Sequence, residues 1–376
     1  MVNIRKVVVS ARNATLYNID GSSHTDLFGA NGTLLLGHCN PAVVEALEEQ
    51  SRKVWITGRL DTDIRLEAVT MVERVIPGSH YVSGFYSTGM EASEFALRAA
   101  RVLTGRKDLL GFAKSMHGKS LATAFLAWNN PHGHGLPGFV RPPFPSPDQA
   151  ARVLEDLDTV LSRGTTAAVF LEAIQGSGGG ASVDASFCHH LRELCTRTGT
   201  LLVADEILTG FYRTGPLFFH ERFPLDPDII LAGKCMGNGF PVSTVLMRRD
   251  LEIRPQMLPY STYADNSLAA AAVSGTLREI ERLPLEQMAA RVEHQIADHL
   301  NASVRDTLEV TLFGALCIIN TGDAERAQRI ADRCYEEGVL ISQAGPILRL
   351  LPPVTIEEEL LEAGLNTLDE AIAASM

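Results

Sequence analysis

Three stretches of the chain are almost unbroken apolar runs: TAAVFLEAI (166–174), GTLLVADEI (199–207) and DIILAG (228–233). Runs this short, almost without polar positions, predict strands buried on both faces, as in a parallel sheet covered by helices. Elsewhere the period lengthens to that of a helix. NPAVVEALEEQSRKV (40–54) opens with Asn40 and Pro41 as a cap and first-turn pair, and EASEFALRAARVLTG (91–105) closes on Gly105. Toward the end, LEQMAARVEHQIADHLNASV (285–304), DAERAQRIADRCYEEG (323–338) and IEEELLEAGLNTLDEAIAAS (356–375) read as amphipathic helices, with strand-like pieces at 309–320 and 347–351. The order predicts an α/β fold. A large domain over 49–272 carries a mostly parallel sheet flanked by helices, and 1–48 with 273–376 form a smaller α+β domain.

A chain of 376 residues exceeds what one small core organises, in keeping with that division. Its formal net charge of -12 argues against nucleic acid or an anionic membrane as partner. The opening MVNIRKVVVSARNATLYNIDG breaks a short apolar patch with charges and amides, unlike a signal peptide or a span, and no later run reaches membrane length. The six cysteines (Cys39, Cys188, Cys195, Cys235, Cys317, Cys334) show no CxxC pair and no ligand rhythm with histidine. Scattered thiols of this kind predict a reduced, cytoplasmic protein without a metal site.

In such a sheet chemistry collects at the carboxyl ends of the strands, and four stretches end apolar runs with polar or glycine-rich residues. In FYSTGMEASEFALRAAR (85–101) a strand runs through Ser87, Thr88 and Gly89 straight into a helix. Hydroxyls and free amides there suit a phosphate, and they equally suit an ordinary helix cap. In LLVADEILTGFYRTG (201–215) Asp205 and Glu206 follow a buried run. A partly desolvated Asp205 needs a cationic or hydrogen-bonding partner, unless it caps the next turn. In IILAGKCMGNGF (229–240) Lys234, one of six lysines, is hemmed in by Gly233, Gly237 and Gly239. Such a lysine either carries its ammonium out along a buried stem or is a reagent, neutral or covalently engaged. In YSTYADNSLAAAAV (260–273) Ser261 and Thr262 precede a small-residue helix, as a second anion cradle or a second cap. A phosphate cradle, a buried acid and a special lysine are together what pyridoxal 5'-phosphate requires: a Schiff-base lysine, an acid for the pyridine nitrogen and donors for the phosphate.

These stretches, in this order, resemble the class III aminotransferases of the ornithine, acetylornithine and 4-aminobutyrate type, which have the fold of type I pyridoxal-phosphate enzymes. The resemblance spans nearly the whole chain. It rests on DGSSHTDLFGANGTLLLGHCNP (20–41), STGMEA, MHG (116–118), LEAIQGSGG (171–179), ADEILTGFYRTG, AGKCMGNGFP, STYADNSLAAAA and LRLLPP (348–353). It implies that Lys234, twenty-nine residues after Asp205, holds the cofactor and moves the substrate proton, while Asp205 keeps the pyridine nitrogen protonated. Ile207 matches the aliphatic residue against one ring face, and Thr88, Gly89 and Met90 match the phosphate loop. Thr262 matches the threonine that reaches the phosphate of the neighbouring subunit, which implies a homodimer with its sites at the interface. Arg349 matches the arginine that grips a substrate carboxylate, a job its planar fork suits. Trp55 and Arg59, in VWITGRLDT, fall where relatives line the substrate pocket.

Four positions depart from the pattern. Met116 stands where relatives stack an aromatic residue on the open ring face, and Leu208 where they place a glutamine near the phenolic oxygen. Met90 replaces a hydroxyl residue of the phosphate loop. Ser177 replaces the glutamate that pairs with the arginine in ornithine-type relatives, so Arg349 stays available to carboxylates. The reading is an aminotransferase that moves an amino group from an amino acid or amine donor to a keto acid or aldehyde acceptor. The departures place it in a specialised biosynthetic pathway rather than among housekeeping ornithine or 4-aminobutyrate enzymes. An aminomutase, racemase or decarboxylase on the same fold is the alternative, and a relative that has lost its chemistry a third; of the catalytic readings, only the transaminase needs two substrates. Plainer expectations attach to three other places. His117 is a structural hydrogen-bonder under the cofactor loop, Glu172 makes a structural bond at a strand end, and His132 and His134 sit on a surface loop.

Overall fold

The computed structural model describes residues 7–58, 60–127, 136–251, 253, 261–300 and 308–375. Three strands open the chain: β1 (Val8–Arg12), β2 (Thr15–Asn18) and β3 (Ser23–Asp26). The middle carries β4 (His80–Tyr86), β5 (Asp108–Gly111), β6 (Phe139–Val140), β7 (Thr166–Leu171), β8 (Leu201–Asp205), β9 (Ile229–Gly233) and β10 (Ser243–Arg248). Toward the end lie β11 (Glu309–Phe313), β12 (Leu316–Asn320), β13 (Val339–Leu340), β14 (Ser342–Ala344) and β15 (Ile347–Leu350).

The seven middle strands form one sheet in the order β4-β10-β9-β8-β7-β5-β6. The three apolar runs are its neighbours β7, β8 and β9, which pair in parallel. Every residue of those strands is buried, so the alternation that marks a half-exposed strand is absent. Period two survives as a choice between two cores. Ala168, Phe170 and Val203 face helix Gly89–Thr104, packing with Ala92, Ala96 and Leu97. Val169, Leu171 and Leu202 face helices Ala150–Leu161 and Ala185–Thr198, packing with Leu157, Phe187 and Leu191. Burying one such Leu or Phe completely contributes roughly 1.5–3 kcal/mol. Strand β10 departs from the parallel reading, since it runs antiparallel to both β4 and β9. Residues Ser243–Met247 are buried, and a buried run does not record its direction.

Helix Gly89–Thr104 begins two residues earlier than its apolar period and ends where Gly105 turns left-handed. Asn40 caps helix Pro41–Ser51, its side chain accepting from Ala42 N at 3.1 Å. That helix packs on Ser267–Arg282, where a Cβ at Gly275 would stand 2.8 Å from Ala42 O, and positions 49 and 272 fall inside these two helices. Strand β13 pairs in parallel with β3, so the two ends of the chain share a sheet. The strand-like pieces at 309–320 and 347–351 are the hairpin β11–β12 and β15, in a second four-stranded sheet ordered β11-β12-β15-β14. All six cysteines carry free thiols. Among the described residues, no helix is long and apolar enough to cross a membrane.

Two local features bring the ends of the chain against the middle. Arg213 is completely buried, and its guanidinium donates to Ala315 O (3.2 Å), Pro352 O (2.5 Å) and Gly32 O (3.4 Å). The second is the turn Gly29–Gly32, which is wound left-handed: Gly29 and Gly32 have φ of 54° and 76°, and between them Ala30 and Asn31 have 49° and 62°. For a residue with a Cβ this hand costs about 1–2 kcal/mol, less for asparagine than for alanine. Asp26 offsets part of it by accepting from Phe28 N and Gly29 N, both at 2.9 Å.

Candidate active site

Three side chains stand in a row where the three buried strands end. Glu172 follows β7 directly, Asp205 is the last residue of β8, and Lys234 follows β9. Thr88 and Gly89 follow β4, which runs in the same sense as β9 because both oppose β10. Parallel order therefore delivers residues far apart in sequence to one edge of the sheet, the edge where open α/β sheets carry their ligands.

Asp205 is buried and its two oxygens are both engaged. Oδ1 accepts from Ile207 N at 3.1 Å, and Oδ2 lies 2.7 Å from His117 Nδ1. The turn-capping role and the charged-partner role thus coexist in one carboxylate. Burial pulls the His117 imidazole down, but the bond to Asp205 and its charge outweigh that and leave it raised. His117 Nε2 is buried and has no partner among the described residues. The histidine is the structural hydrogen-bonder expected of it, and its target is Asp205 itself. Glu206, next in sequence, serves the fold: it accepts from His220 N (2.8 Å), His220 Nδ1 (2.9 Å), Phe219 N (3.0 Å) and Thr209 Oγ1.

Lys234 has a φ of 44°, a left-handed conformation that side chains adopt at a cost. Its side chain keeps some exposure but is densely enclosed by protein. Burial lowers its pKa, the charges of Asp205 and Glu172 resist, and Arg349 adds to the lowering. The Glu172 carboxyl is pushed up to about 7, first by burial and then by the charge of Asp205, against His117. It accepts from Met116 N at 2.7 Å, the structural bond predicted for it.

Ile207 lies between two glycines. A Cβ at Gly89 would stand 3.0 Å from Ile207 Cγ2, and one at Gly233 would stand 3.1 Å from its Cδ1. The bare backbone at both points lets the helix start, Ile207 and the approach to Lys234 close up within the breadth of one side chain. Thr88 caps that helix, its hydroxyl accepting from Glu91 N at 3.2 Å. The helical ladder begins with Ala92 N to Thr88 O, so the amides of Gly89 and Met90 precede it and face outward. Cap and cradle are therefore compatible. Met90 is exposed and its Cγ approaches Gly118, next to His117. A lysine of lowered pKa, a carboxylate one hydrogen bond from a buried histidine, an aliphatic wall and a helix start with free amides are the donor set that pyridoxal 5'-phosphate needs. The residues present fit it.

Arg349, on β15, lies near enough to Lys234 for its charge to act on it. Nη1 donates to Ser177 Oγ (3.3 Å) and Gly176 O (3.5 Å), and Nη2 donates to Ser342 Oγ (3.0 Å) and Asn31 Oδ1 (3.3 Å). Its Nε is buried without a partner among the described residues. Ser177 and Arg349 are thus neighbours, as the resemblance implied. Leu208 is buried and turned against Gly176, where a Cβ would stand 2.0 Å from its Cδ2.

Two expected residues stand apart from this cluster in the single chain. Trp55 is 60% exposed, its indole donates to Ser51 O (2.7 Å), and its carbonyl accepts from Ser267 N (2.9 Å). Thr262 is exposed; its neighbour Ser261 donates to Glu91 Oε1 at 3.4 Å. The cap of the following helix is Asn266, which accepts from Ala269 N at 2.8 Å, so neither Ser261 nor Thr262 has that role. Arg59, His132 and His134 lie outside the described residues. Sequence reasoning missed Asn31 and Glu91. Glu91 was signalled by the T-x-x-E spacing from Thr88, although its carboxylate accepts from Ser87 N (2.9 Å) rather than from the cap's own amide. Asn31 carried no signal beyond the glycines that flank it.

The family model described as aminotransferase class III matches residues 1–372. A 2-aminoadipate transaminase of Pseudomonas putida is 32% identical, the match covering 96% of this chain and 94% of that protein. A [LysW]-aminoadipate semialdehyde/glutamate semialdehyde transaminase of Sulfolobus acidocaldarius is 30% identical, over 97% of this chain and 94% of that one. Among solved structures, an ornithine aminotransferase of Toxoplasma gondii, described with pyridoxal phosphate at its active site, superposes with a TM-score of 0.88 at 26% identity, covering 100% of this chain and 92% of that one. The chain belongs to the class III aminotransferases, enzymes that work with pyridoxal 5'-phosphate on small-molecule amino donors and keto acid acceptors.

Proposed function

We propose that this aminotransferase moves an amino group between an α-amino acid donor and a keto acid acceptor, both bound through a carboxylate at Arg349. The observation that carries the reading is the convergence of Lys234, Asp205 and Arg349, with the hydroxyl of Ser177 rather than a paired carboxylate hydrogen-bonded to the arginine. Bound pyridoxal phosphate supplies an electron sink that stabilises negative charge at the substrate's α-carbon. The protein supplies the rest. Lys234, held toward its neutral form by burial, anchors the cofactor and then carries the proton at Nζ to and from the α-carbon. Asp205, fixed by His117 and by its own backbone turn, holds the pyridine nitrogen protonated. Thr88 and the amides of Gly89 and Met90 would hold the phosphate, and Ile207 and Met116 would supply apolar contact to the ring.

Thr262 and Trp55, exposed on one chain, find their use in a homodimer, Thr262 at the neighbouring subunit's phosphate and Trp55 at the pocket entrance. The free thiols accord with a cytoplasmic enzyme. The two-domain division, 49–272 against 1–48 with 273–376, is supported by the sheets, the seven-stranded one lying within 49–272 and the two four-stranded ones outside it. The relatives' names support a donor among amino acids such as 2-aminoadipate, in a specialised biosynthetic route.

The test is the visible absorption of the purified enzyme with L-2-aminoadipate, L-glutamate or L-ornithine added singly. A yellow band that is lost in Lys234→Ala and bleaches with an α-amino acid, then returns with a keto acid, is the expected result. A band that no amino donor bleaches would refute the reading.

A further inference from the structure

We propose that Asn31 is a specificity-determining residue, a neutral placeholder that occupies Arg349 in the empty site and gives way to a substrate carboxylate. The inference rests on the transaminase reading above and deepens it.

The guanidinium of Arg349 has five N–H donors. Its two Nη atoms donate to Ser342 Oγ, Ser177 Oγ, Asn31 Oδ1 and Gly176 O at 3.0–3.5 Å, and Nε donates to nothing described. Every one of those acceptors is neutral, and among the described residues no carboxylate lies within ion-pair distance of it. A partly buried cation whose hydrogen-bond acceptors are all neutral, with only the charge of Glu172 acting on it from beyond ion-pair distance, keeps most of its demand for an anion. Of the contacts, only the shortest, to Ser342, is of ordinary length; those to Asn31, Ser177 and Gly176 are long and easily exchanged.

Asn31 differs from the other acceptors in how it is held. It is exposed, so its amide can turn without disturbing the core. Its backbone is fixed by the left-handed turn Gly29–Gly32, a conformation that the chain pins from several sides. Asp26 accepts from the entering amides, Thr33 N donates to Gly29 O at 2.8 Å, and Gly32 O accepts from Arg213 Nη2 and from Cys235 Sγ at 3.3 Å. Cys235 follows Lys234, so the turn is tied to the segment that carries the lysine. A costly turn fastened at this place positions one side chain, and that side chain meets the arginine. The amide can accept from Arg349 through Oδ1, or rotate and donate through Nδ2 to an incoming carboxylate oxygen. Release costs one neutral hydrogen bond rather than an ion pair. Arg349 is therefore open to carboxylates in both half-reactions, and carboxylate-free amines gain nothing from it.

The test compares the parent enzyme, Asn31→Asp and Asn31→Gly, each loaded with cofactor, in single half-reactions followed by bleaching of the cofactor band. L-2-aminoadipate and L-glutamate are the carboxylate donors, and cadaverine the carboxylate-free one. Aspartate tolerates the left-handed backbone and is nearly isosteric, but it would close on the guanidinium as an ion pair. Asn31→Asp is expected to raise the half-saturating concentration of the two amino acids about tenfold, leave their limiting rate close to the parent's, and leave cadaverine unchanged. Asn31→Gly, which removes that amide donor, is expected to raise the half-saturating concentration of the two amino acids about threefold, less than Asn31→Asp does, and to leave cadaverine unchanged. An equal change for amino acids and cadaverine, or no change for either, would overturn the role of Asn31 while the transaminase reading stands. Loss of the cofactor band in Asn31→Gly would show the turn to be structural only and would also overturn it. A parent enzyme that no amino acid bleaches would overturn the underlying reading and this inference with it.

Discussion

Glu172 gives the most quantitative prediction. Its carboxyl is buried at the end of β7, accepts the Met116 amide at 2.7 Å, and titrates near 7 in the folded chain against an ordinary 4.5. The folded chain therefore keeps this proton up to about pH 7, whereas the unfolded chain releases it near 4.5. Between those values the folded state binds more protons, so its stability falls as pH rises. The contribution is complete below the unfolded value and gone above the folded one. At about 1.4 kcal/mol per pKa unit, the displacement from 4.5 to about 7 is worth about 3 kcal/mol.

Glu172→Gln removes the titration and keeps an acceptor for Met116. Urea unfolding of cofactor-free parent and variant, at intervals from pH 5 to pH 8, isolates the effect as a difference between two curves. At pH 5 the two proteins are expected within about 1 kcal/mol of each other. By pH 8 the variant is expected to have gained about 3 kcal/mol on the parent. Curves that run parallel across the range would mean that Glu172 titrates as an ordinary carboxyl, and the desolvated row at the strand ends would have to be reconsidered.

Further perturbations probe other parts of the same argument. Asp205→Asn leaves an acceptor for His117 but no charge beneath the cofactor, and steady-state assays should show kcat lower by about 10²-fold with the protein still folded. Arg213→Met strands three buried carbonyls, and urea denaturation should register a loss on the order of 3 kcal/mol. Gly29→Ala places a Cβ 2.4 Å from Leu351 O at a φ of 54°, so the turn has to shift. A lower Tm together with a raised half-saturation for 2-aminoadipate is expected, whereas unchanged values for both would remove the turn from the site.

How much of this was legible in the sequence depended on whether a residue's constraint was local. The strands β7, β8 and β9 were readable because a strand buried on both faces has nowhere to put a polar residue. The helix starts at Asn40 and Thr88 were readable because caps are written within three or four residues. The direction of β10 was not, since it depends on which neighbours the strand finds. Asp205 and Lys234 could be singled out as unusual, but their common site needed the parallel order of β8 and β9. The partnership of His117 with Asp205 spans 88 positions and that of Asn31 with Arg349 spans 318. No local pattern specifies either. The cap that Ser261 and Thr262 offered as one of two alternatives shows the same limit: several hydroxyls and amides compete before one helix, and only the backbone path selects Asn266.

The departures from the family pattern become connected once the structure places them. Leu208 cannot donate where relatives have glutamine, and here it is instead a core residue pressed on Gly176, whose carbonyl accepts from Arg349. Ser177, next to Gly176, supplies a neutral hydroxyl to the same guanidinium, and Asn31 supplies a neutral amide from the opposite end of the chain. An anionic residue at any of these points would compete with a substrate carboxylate for the arginine. Their joint neutrality sets what this cleft accepts, while Lys234, Asp205 and the helix start at Gly89 set what it does with it.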